Sequence, residues 1–383
     1  MWLDTDPGGI PPWAFRHLEN VEFVGTELRP RQANFAANAS ALYDSTACIR
    51  SGFDYQVDPY RLYIVAKGCP GVSTTVGRSI LWYDPDFNAS VQRMLYYDQT
   101  TASAVIGYYD GALYMGVDAW LKKIYRVEPP VGTEPIQVTG IHQDTNIANL
   151  TGYKITALYG WEGYLFIAAE DTSTPGSSKI FAYDGVTVHE DLTGIDPVTY
   201  ITPWRDKLVF GFGSSTNHIR LRSKGAPAGT YTTVAPGAGT VATVQMVDHQ
   251  GTLYIADGGD DVWSYDGSSL ASFRNVSGAT LMNAVESFNG FLYYGYRKSS
   301  NNHAIIGRWN EASVFEDEHE DMSVAFTDLI GIDVLRAYRN NLMAACNVSS
   351  ATSRLYQSAG FDTSGSWTQI QSYTPFIYEL LDA

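Results

Sequence analysis

Apolar residues in this chain come in short runs, cut off by polar pairs that contain glycine. The segment HQGTLYIADGGDDVWSYDG, residues 249–267, shows the unit most plainly. A Gln-Gly pair precedes an apolar strand at Thr252–Ala256. A polar turn over 257–261 leads to a second strand over 262–265, which stops at Asp266-Gly267. Glycine at such pairs supplies the positive φ of tight turns, so the pattern predicts antiparallel hairpins.

The same frame returns along the chain: an aromatic residue or His, any residue, Gly/Asp/Asn, any residue, Leu, a large residue, any residue, then Gly or Ala. Copies start at Tyr109, Trp161, Trp204, Phe288 and Tyr338, and a weaker one begins at Arg61. The anchors Leu62, Leu113, Leu165, Leu208, Leu253, Leu292 and Leu342 are 51, 52, 43, 45, 39 and 50 residues apart. A second apolar strand follows each anchor, at 80–84, 124–126, 180–184, 219–221, 262–266, 306–309 and 354–356. A period of 40 to 50 residues with several strands per period predicts propeller blades. The expected fold is an all-β propeller, with seven blades by direct count and six if the weak first copy is not a blade.

Residues 1–35 fall outside the repeat and read as an extended N-terminal arm with the first strands, leaving 36–383 for the propeller domain. Pro11, Pro12 and Pro30 break regular structure in the arm, and Trp2, Trp13 and Phe15 make it apolar. Such an arm is expected to be pinned to its own propeller or to a neighbouring subunit. Residues 18–31 read as strand, turn, strand. The tail, 373–378, has strand composition, and we expect it to complete a blade with the N-terminal portion, since shared strands remove exposed sheet edges. Residues 322–345 resemble an amphipathic helix, but alignment with the repeat and Gly331 favour strands.

Composition narrows the function classes. The chain carries 41 acids against 25 bases, a formal charge of −16, which argues against nonspecific phosphate binding. Cys48, Cys69 and Cys346 form an odd set without a CxxC motif, so neither a disulfide framework nor a cysteine metal site is expected, and synthesis in a reducing compartment is. Asn-x-Ser/Thr triplets at Asn38, Asn88, Asn149, Asn275 and Asn347 read as incidental, because the opening residues have no basic head or apolar core of a secretion signal. No run of eighteen apolar residues predicts a membrane span.

Candidate chemistry is sparse. Asp4-Thr5-Asp6-Pro7-Gly8 resembles the opening motif of nucleoside hydrolases, but Gly9-Ile10-Pro11-Pro12 follows and no alternating helix pattern lies downstream. Ser223-x-Gly225 with Gly229-Thr230-Tyr231-Thr232 parallels Ser358-x-Gly360 with Gly365-Ser366-Trp367-Thr368. With Asp362 five residues before Trp367, this resembles the Asp-box of sialidase-like propellers, which implies a structural turn. The acidic run at 316–321 is expected to be a solvated loop rather than a Ca²⁺ site, and 257–261 a hairpin turn. The seven histidines form no HExxH motif and no close pair. The turn aromatics Tyr109, Trp161, Trp204, Phe288 and Tyr338 are expected to pack between blades rather than stack on sugars. No catalytic, cofactor-binding or metal-ligating set is assigned, and no enzymatic activity is expected.

Glu19-Asn20-Val21-Glu22-Phe23, then Gly25, then Glu27-Leu28-Arg29-Pro30-Arg31, followed by aromatic-rich blades with Asp-Gly turns, is similar to bacteriophage virion propellers of the tail and neck. That class includes tail-nozzle proteins of podophages. The resemblance implies a non-enzymatic structural protein, synthesised in the host bacterial cytoplasm and carried in the virion. Its partners would be copies of itself in a ring around the DNA path, together with other tail or neck proteins. Nozzles have six-bladed propellers, against seven anchors here. An acidic surface would let DNA slide without gripping it, and Arg29 and Arg31 would contact a neighbouring protein. The alternative expectation is a surface propeller that binds carbohydrate or a receptor, including a degenerate glycan hydrolase.

Overall fold

The computed structural model describes residues 21–24, 27–30, 62–67, 78–83, 93–98, 104–126, 142–213, 218–236, 242–310, 314–338, 341–349, 352–358, 367–372 and 377–382. Apart from one N-terminal hairpin and a single helical turn, the described elements are strands in seven four-stranded antiparallel sheets. The first blade pairs Ile377–Asp382, Leu62–Lys67, Arg78–Tyr83 and Arg93–Asp98 in that spatial order. The second runs from Ala104–Tyr109 to His142–Asn149, the third from Tyr153–Trp161 to Val188–Ile195, and the fourth from Val198–Trp204 to Tyr231–Val234. The fifth extends from Gln245–His249 to Leu270–Asn275, the sixth from Ala279–Phe288 to Val314–Asp321, and the seventh from Gly331–Tyr338 to Trp367–Ser372. The first strand of each later blade packs beside its counterpart in the next, which places these strands innermost around an axis.

Seven anchors therefore correspond to seven blades, and the weak copy at Leu62 opens a genuine strand. Closure differs in detail from expectation. The C-terminal strand Ile377–Asp382 supplies the innermost strand of the first blade, pairing Leu62 with Asp382 and Val65 with Glu379. The N-terminal strands do not share that blade: among the described residues, Val21–Val24 pairs only with Glu27–Pro30, Val21 opposite Pro30 and Val24 opposite Glu27. Residues 322–345 contain one helical turn, Met322–Ala325, capped by the Asp321 side chain accepting from Ser323 N, and are otherwise strand and turn. The arm residues Trp2, Trp13 and Phe15, the Asp4-Thr5-Asp6 motif, Cys48, Cys69, Asn38, Asn88 and Asp362 lie outside the described residues.

The repeat frame has a separate physical reason at each position. Its turn is a two-residue hairpin: of Arg205-Asp206 only Arg205 has positive φ, but in the four described copies with glycine both central residues do, as at Gln250 (52°) and Gly251 (82°) or Asn289 (49°) and Gly290 (80°). That is the type I′ geometry, whose twist matches the flanking strands. The anchor leucine begins a run buried on both faces. In the third blade Leu165, Ile167 and Ala169 pack towards the second blade, while Phe166 and Ala168 pack towards the fourth. Each blade is a sheet sandwiched between neighbours, so its second strand is continuously apolar rather than alternating. The core accordingly consists of inter-blade layers. Burying a Leu, Ile or Phe in such a layer contributes roughly 1.5–3 kcal/mol.

The small residue ending the frame lies where the next blade comes closest. A Cβ added to Gly211 would stand 2.4 Å from Thr243 Cγ2, and one on Gly295 would stand 2.6 Å from Ile332 Cγ2. Bulges on the innermost strands add polar links between blades. Thr156, at the bulge between Ile155 and Ala157, donates to Val198 O at 2.8 Å. Thr199, at the equivalent bulge, donates to Thr243 O at 2.6 Å.

Candidate functional site

Nine residues before Leu165, Leu208, Leu292 and Leu342 lie bulge positions; eight or six before an anchor lie residues that reach one another across the ring. Tyr200 and Gln245 occupy the first of these two inward positions, and Tyr159, Glu286 and Arg336 the second. Arg336 of the seventh blade donates from Nη2 to the Tyr200 hydroxyl of the fourth at 3.3 Å, and its Nη1 lies 3.6 Å from Glu286 Oε2 of the sixth. Gln245 of the fifth blade donates from Nε2 to Leu335 O at 2.7 Å, and Leu335 N donates back to Gln245 Oε1 at 3.5 Å. Since the fourth and seventh blades are not neighbours, these contacts cross the axis.

Two members of the cluster are buried and the rest are half-buried. Glu286 is 5% exposed and Gln245 3%. Burial, with Tyr200 nearby, pushes the Tyr159 phenol above its ordinary pKa against the opposing pull of Arg336. Ser287 N donates to Glu286 Oε1 at 3.0 Å, and Ser287 Oγ is 2.8 Å from Nδ1 of the buried His249. Chemically, the arrangement ties four blades together through hydrogen bonds and one ion pair. Its guanidinium, on Arg336, bridges the seventh blade to the fourth and the sixth. Among the described residues, no group of three or more His, Cys, Asp or Glu converges to hold a metal ion.

A second polar group sits one bulge away. Asp333, at the bulge between Ile332 and Val334, accepts at Oδ1 from Asn347 Nδ2 at 2.5 Å and from Asn283 Nδ2 at 3.4 Å. Sequence reading missed both groups, because single polar residues in apolar strands carry no motif. The available signal was positional: counting back from each anchor leucine aligns Thr156, Thr199, Asn283 and Asp333 in one register and Tyr159, Glu286 and Arg336 in another.

The residues singled out by sequence have other roles. The acidic run is not a loop but belongs to the outermost strand of the sixth blade, Val314–Asp321. It is paired along its length: Glu316 with Arg308, Asp317 with Arg274, Glu318 with Lys298 and Asp321 with His303. A carboxylate run becomes an edge strand because Arg308 and Lys298 of the same blade and Arg274 of the fifth offset its charge, and charged edges also resist intermolecular pairing. In the 257–261 turn, Asp257 accepts from Gly259 N at 2.8 Å and from Trp263 Nε1 at 3.1 Å. Trp204, Phe288 and Tyr338 are buried, and Trp204 donates from Nε1 to Gly251 O of the next blade at 3.2 Å. Tyr109, half-buried, likewise donates to Gly163 O at 2.8 Å.

The Ser-x-Gly turn after Ser223 is held by a buried ion pair. Arg222 donates to both carboxylate oxygens of Asp191, at 2.7 and 3.0 Å, and to the carbonyls of Gly225 and Ala226. Tyr231 and Gly229 N also donate to Asp191. Burial pushes the Asp191 carboxyl upward, but these donors outweigh it and hold it below the usual carboxylate range. In the parallel turn, Ser358 pairs with Trp367 across the blade, and residues 359–366 lie outside the described residues.

No known protein-family model matches the chain, and no curated protein matches it. Solved structures do. One is a puromycin hydrolase mutant complexed with PGG, with a TM-score of 0.55 and 12% identity over 88% of this chain and 55% of that one. Another is a puromycin-hydrolyzing peptidase of Mycobacterium tuberculosis, with a TM-score of 0.54 and 9% identity over 83% of this chain and 52% of that one. This chain spans about half the length of each, and at such identities the likeness establishes the fold alone. That fold is the β-propeller.

Proposed function

We propose that this protein is a non-enzymatic structural component of a bacteriophage tail or neck, assembling as a ring with copies of itself and other virion proteins around the DNA path. The observation that carries this reading is the division of labour at the two ends of the described chain. The propeller is closed by its own C-terminal strand, Ile377–Asp382, so the N-terminal hairpin is not consumed in closure. Val21–Val24 and Glu27–Pro30, which carry the residues of the virion-propeller resemblance, pair with no blade strand among the described residues. A hairpin outside the closed ring of blades, next to an apolar proline-rich sequence, suits docking onto a neighbouring subunit. The net charge of −16 supports a lining that does not hold the phosphate backbone.

Native mass by light scattering tests the reading, comparing the full chain with a form lacking residues 1–33. A closed oligomer that falls to monomer on truncation is expected. Monomers in both forms would remove self-assembly through the arm. Nanomolar DNA affinity at physiological salt would remove the sliding surface.

A further inference from the structure

Asn289 and Gly290 are the two central residues of the turn joining Ala279–Phe288 to Phe291–Lys298 in the sixth blade. They form the only Asn-Gly pair in the chain. Both are exposed, and nothing lies within 4 Å of a Cβ added to Gly290. The glycine nitrogen sets this turn apart from its counterpart in the fifth blade, where Gly251 N donates to Asp248 Oδ1 at 2.8 Å. Five residues before the anchor leucine, where the fifth blade has Asp248, the sixth has Ser287, and its Oγ is engaged with His249 Nδ1 at 2.8 Å. Among the described residues, Gly290 N and the Asn289 side chain make no hydrogen bond.

We propose that Asn289 is a self-modifying site, converted in the folded protein through a cyclic imide to aspartate, which the hairpin accommodates, and isoaspartate, which it does not. The reaction needs only water. Gly290 N attacks Asn289 Cγ: an N–C bond forms, the Cγ–Nδ2 bond breaks, and the proton lost by Gly290 N leaves with the side-chain nitrogen as ammonia. Water then opens the imide at one of its two carbonyls. Opening at the side-chain carbonyl restores the normal backbone with aspartate. Opening at the main-chain carbonyl leaves the chain running through the side-chain carbon, as isoaspartate.

The turn supplies the geometry. Asn289 rests at φ 49° and Gly290 at φ 80°, the type I′ form. Turning over the single peptide plane between them gives a type II′ turn, which keeps positive φ at its first central residue and reverses it at the second. Both are two-residue hairpin turns, so Phe288 stays paired with Phe291. In the II′ form the Gly290 nitrogen lies against the Asn289 side chain, within reach of Cγ. Glycine makes the reversal without steric cost.

The two products differ in fit. Asp110-Gly111 holds the same turn in the second blade, with φ of 47° and 72°, so aspartate fits at 289. Isoaspartate adds a backbone atom to a turn of two residues and pulls on the Phe288–Phe291 pair and the buried Phe288 ring.

The test is peptide mapping of the full chain after native incubation in mildly alkaline buffer, with tandem mass spectrometry resolving aspartate from isoaspartate. Both products should accumulate at Asn289. Gln250-Gly251, the same turn with a longer side chain and a held nitrogen, should stay unchanged. Conversion of Asn289 in urea but not in the native chain would overturn the proposal, since the turn would then protect the site. The isoaspartate form, separated by chromatography, should unfold at lower urea than the parent, whereas Asn289→Asp should match the parent. Equal midpoints for all three would overturn the assigned difference in fit.

Discussion

Arg222 in the fourth blade and Asp191 in the third form a two-point ion pair from which water is excluded, the side chains being 1% and 0% exposed. The guanidinium also lies over the Phe166 ring, 4.6 Å from its centroid, and a Cβ on Gly229 would stand 2.8 Å from the guanidinium carbon. One arginine thus fixes the Ser-x-Gly turn, the outer strand of the preceding blade and an aromatic layer. Arg222→Met leaves Asp191 buried without its partner and should cost about 3–5 kcal/mol in urea unfolding. Arg222→Lys should recover little, since an ammonium cannot reproduce the planar fork. Full recovery by lysine would show that charge alone matters.

Gly290 and Gly295 separate two reasons for glycine within one hairpin. Gly290 has φ of 80° with nothing within 4 Å of an added Cβ, whereas Gly295 faces Ile332 Cγ2 at 2.6 Å. Gly290→Ala should lower stability by about 1–2 kcal/mol through backbone strain. Gly295→Val should cost about 1–3 kcal/mol or more by wedging the sixth and seventh blades apart. Removing steric bulk at the facing position, Ile332→Ala, should partly offset the second defect and leave the first untouched. Thermal unfolding of the singles and doubles checks this.

Arg336 and Glu286 should be energetically coupled. Arg336→Met strands the enclosed Glu286 carboxylate and is expected to destabilise more than the double variant Arg336→Met, Glu286→Gln. A double-mutant cycle with additive terms would show that their 3.6 Å approach contributes no coupling.

Truncation before Ile377 should abolish closure. It deprives Leu62–Lys67 of one of its two partner strands and leaves the inner edge of the first blade open. An unpaired inner edge is a template for association, so the shortened chain should unfold less cooperatively and aggregate, as seen by size-exclusion chromatography and unfolding curves. A monomeric chain of unchanged stability would show that the terminal strand is dispensable.

Much of the architecture was determined by the sequence alone. Leu113, Leu165, Leu208, Leu253, Leu292 and Leu342 are buried because each follows a turn whose residues dictate a hairpin, and each opens a strand covered on both faces. Those causes are local, so they repeat and can be read. The burial of Trp204, Phe288 and Tyr338 follows from the same register. Tertiary structure decided what depends on meetings between distant residues. The run at 316–321 reads as a solvated loop until Arg308, Lys298 and His303 of its own blade and Arg274 of the fifth meet it. The pairing of Ile377–Asp382 with Leu62–Lys67 depends on the ring bringing both ends of the described chain together. Arg336 and Tyr200 meet only because three blades of turning carry them to opposite sides of one axis. Asp333 is an ordinary carboxylate in the sequence; burial between two blades is what raises its proton affinity, against the pull of Asn283 and Asn347.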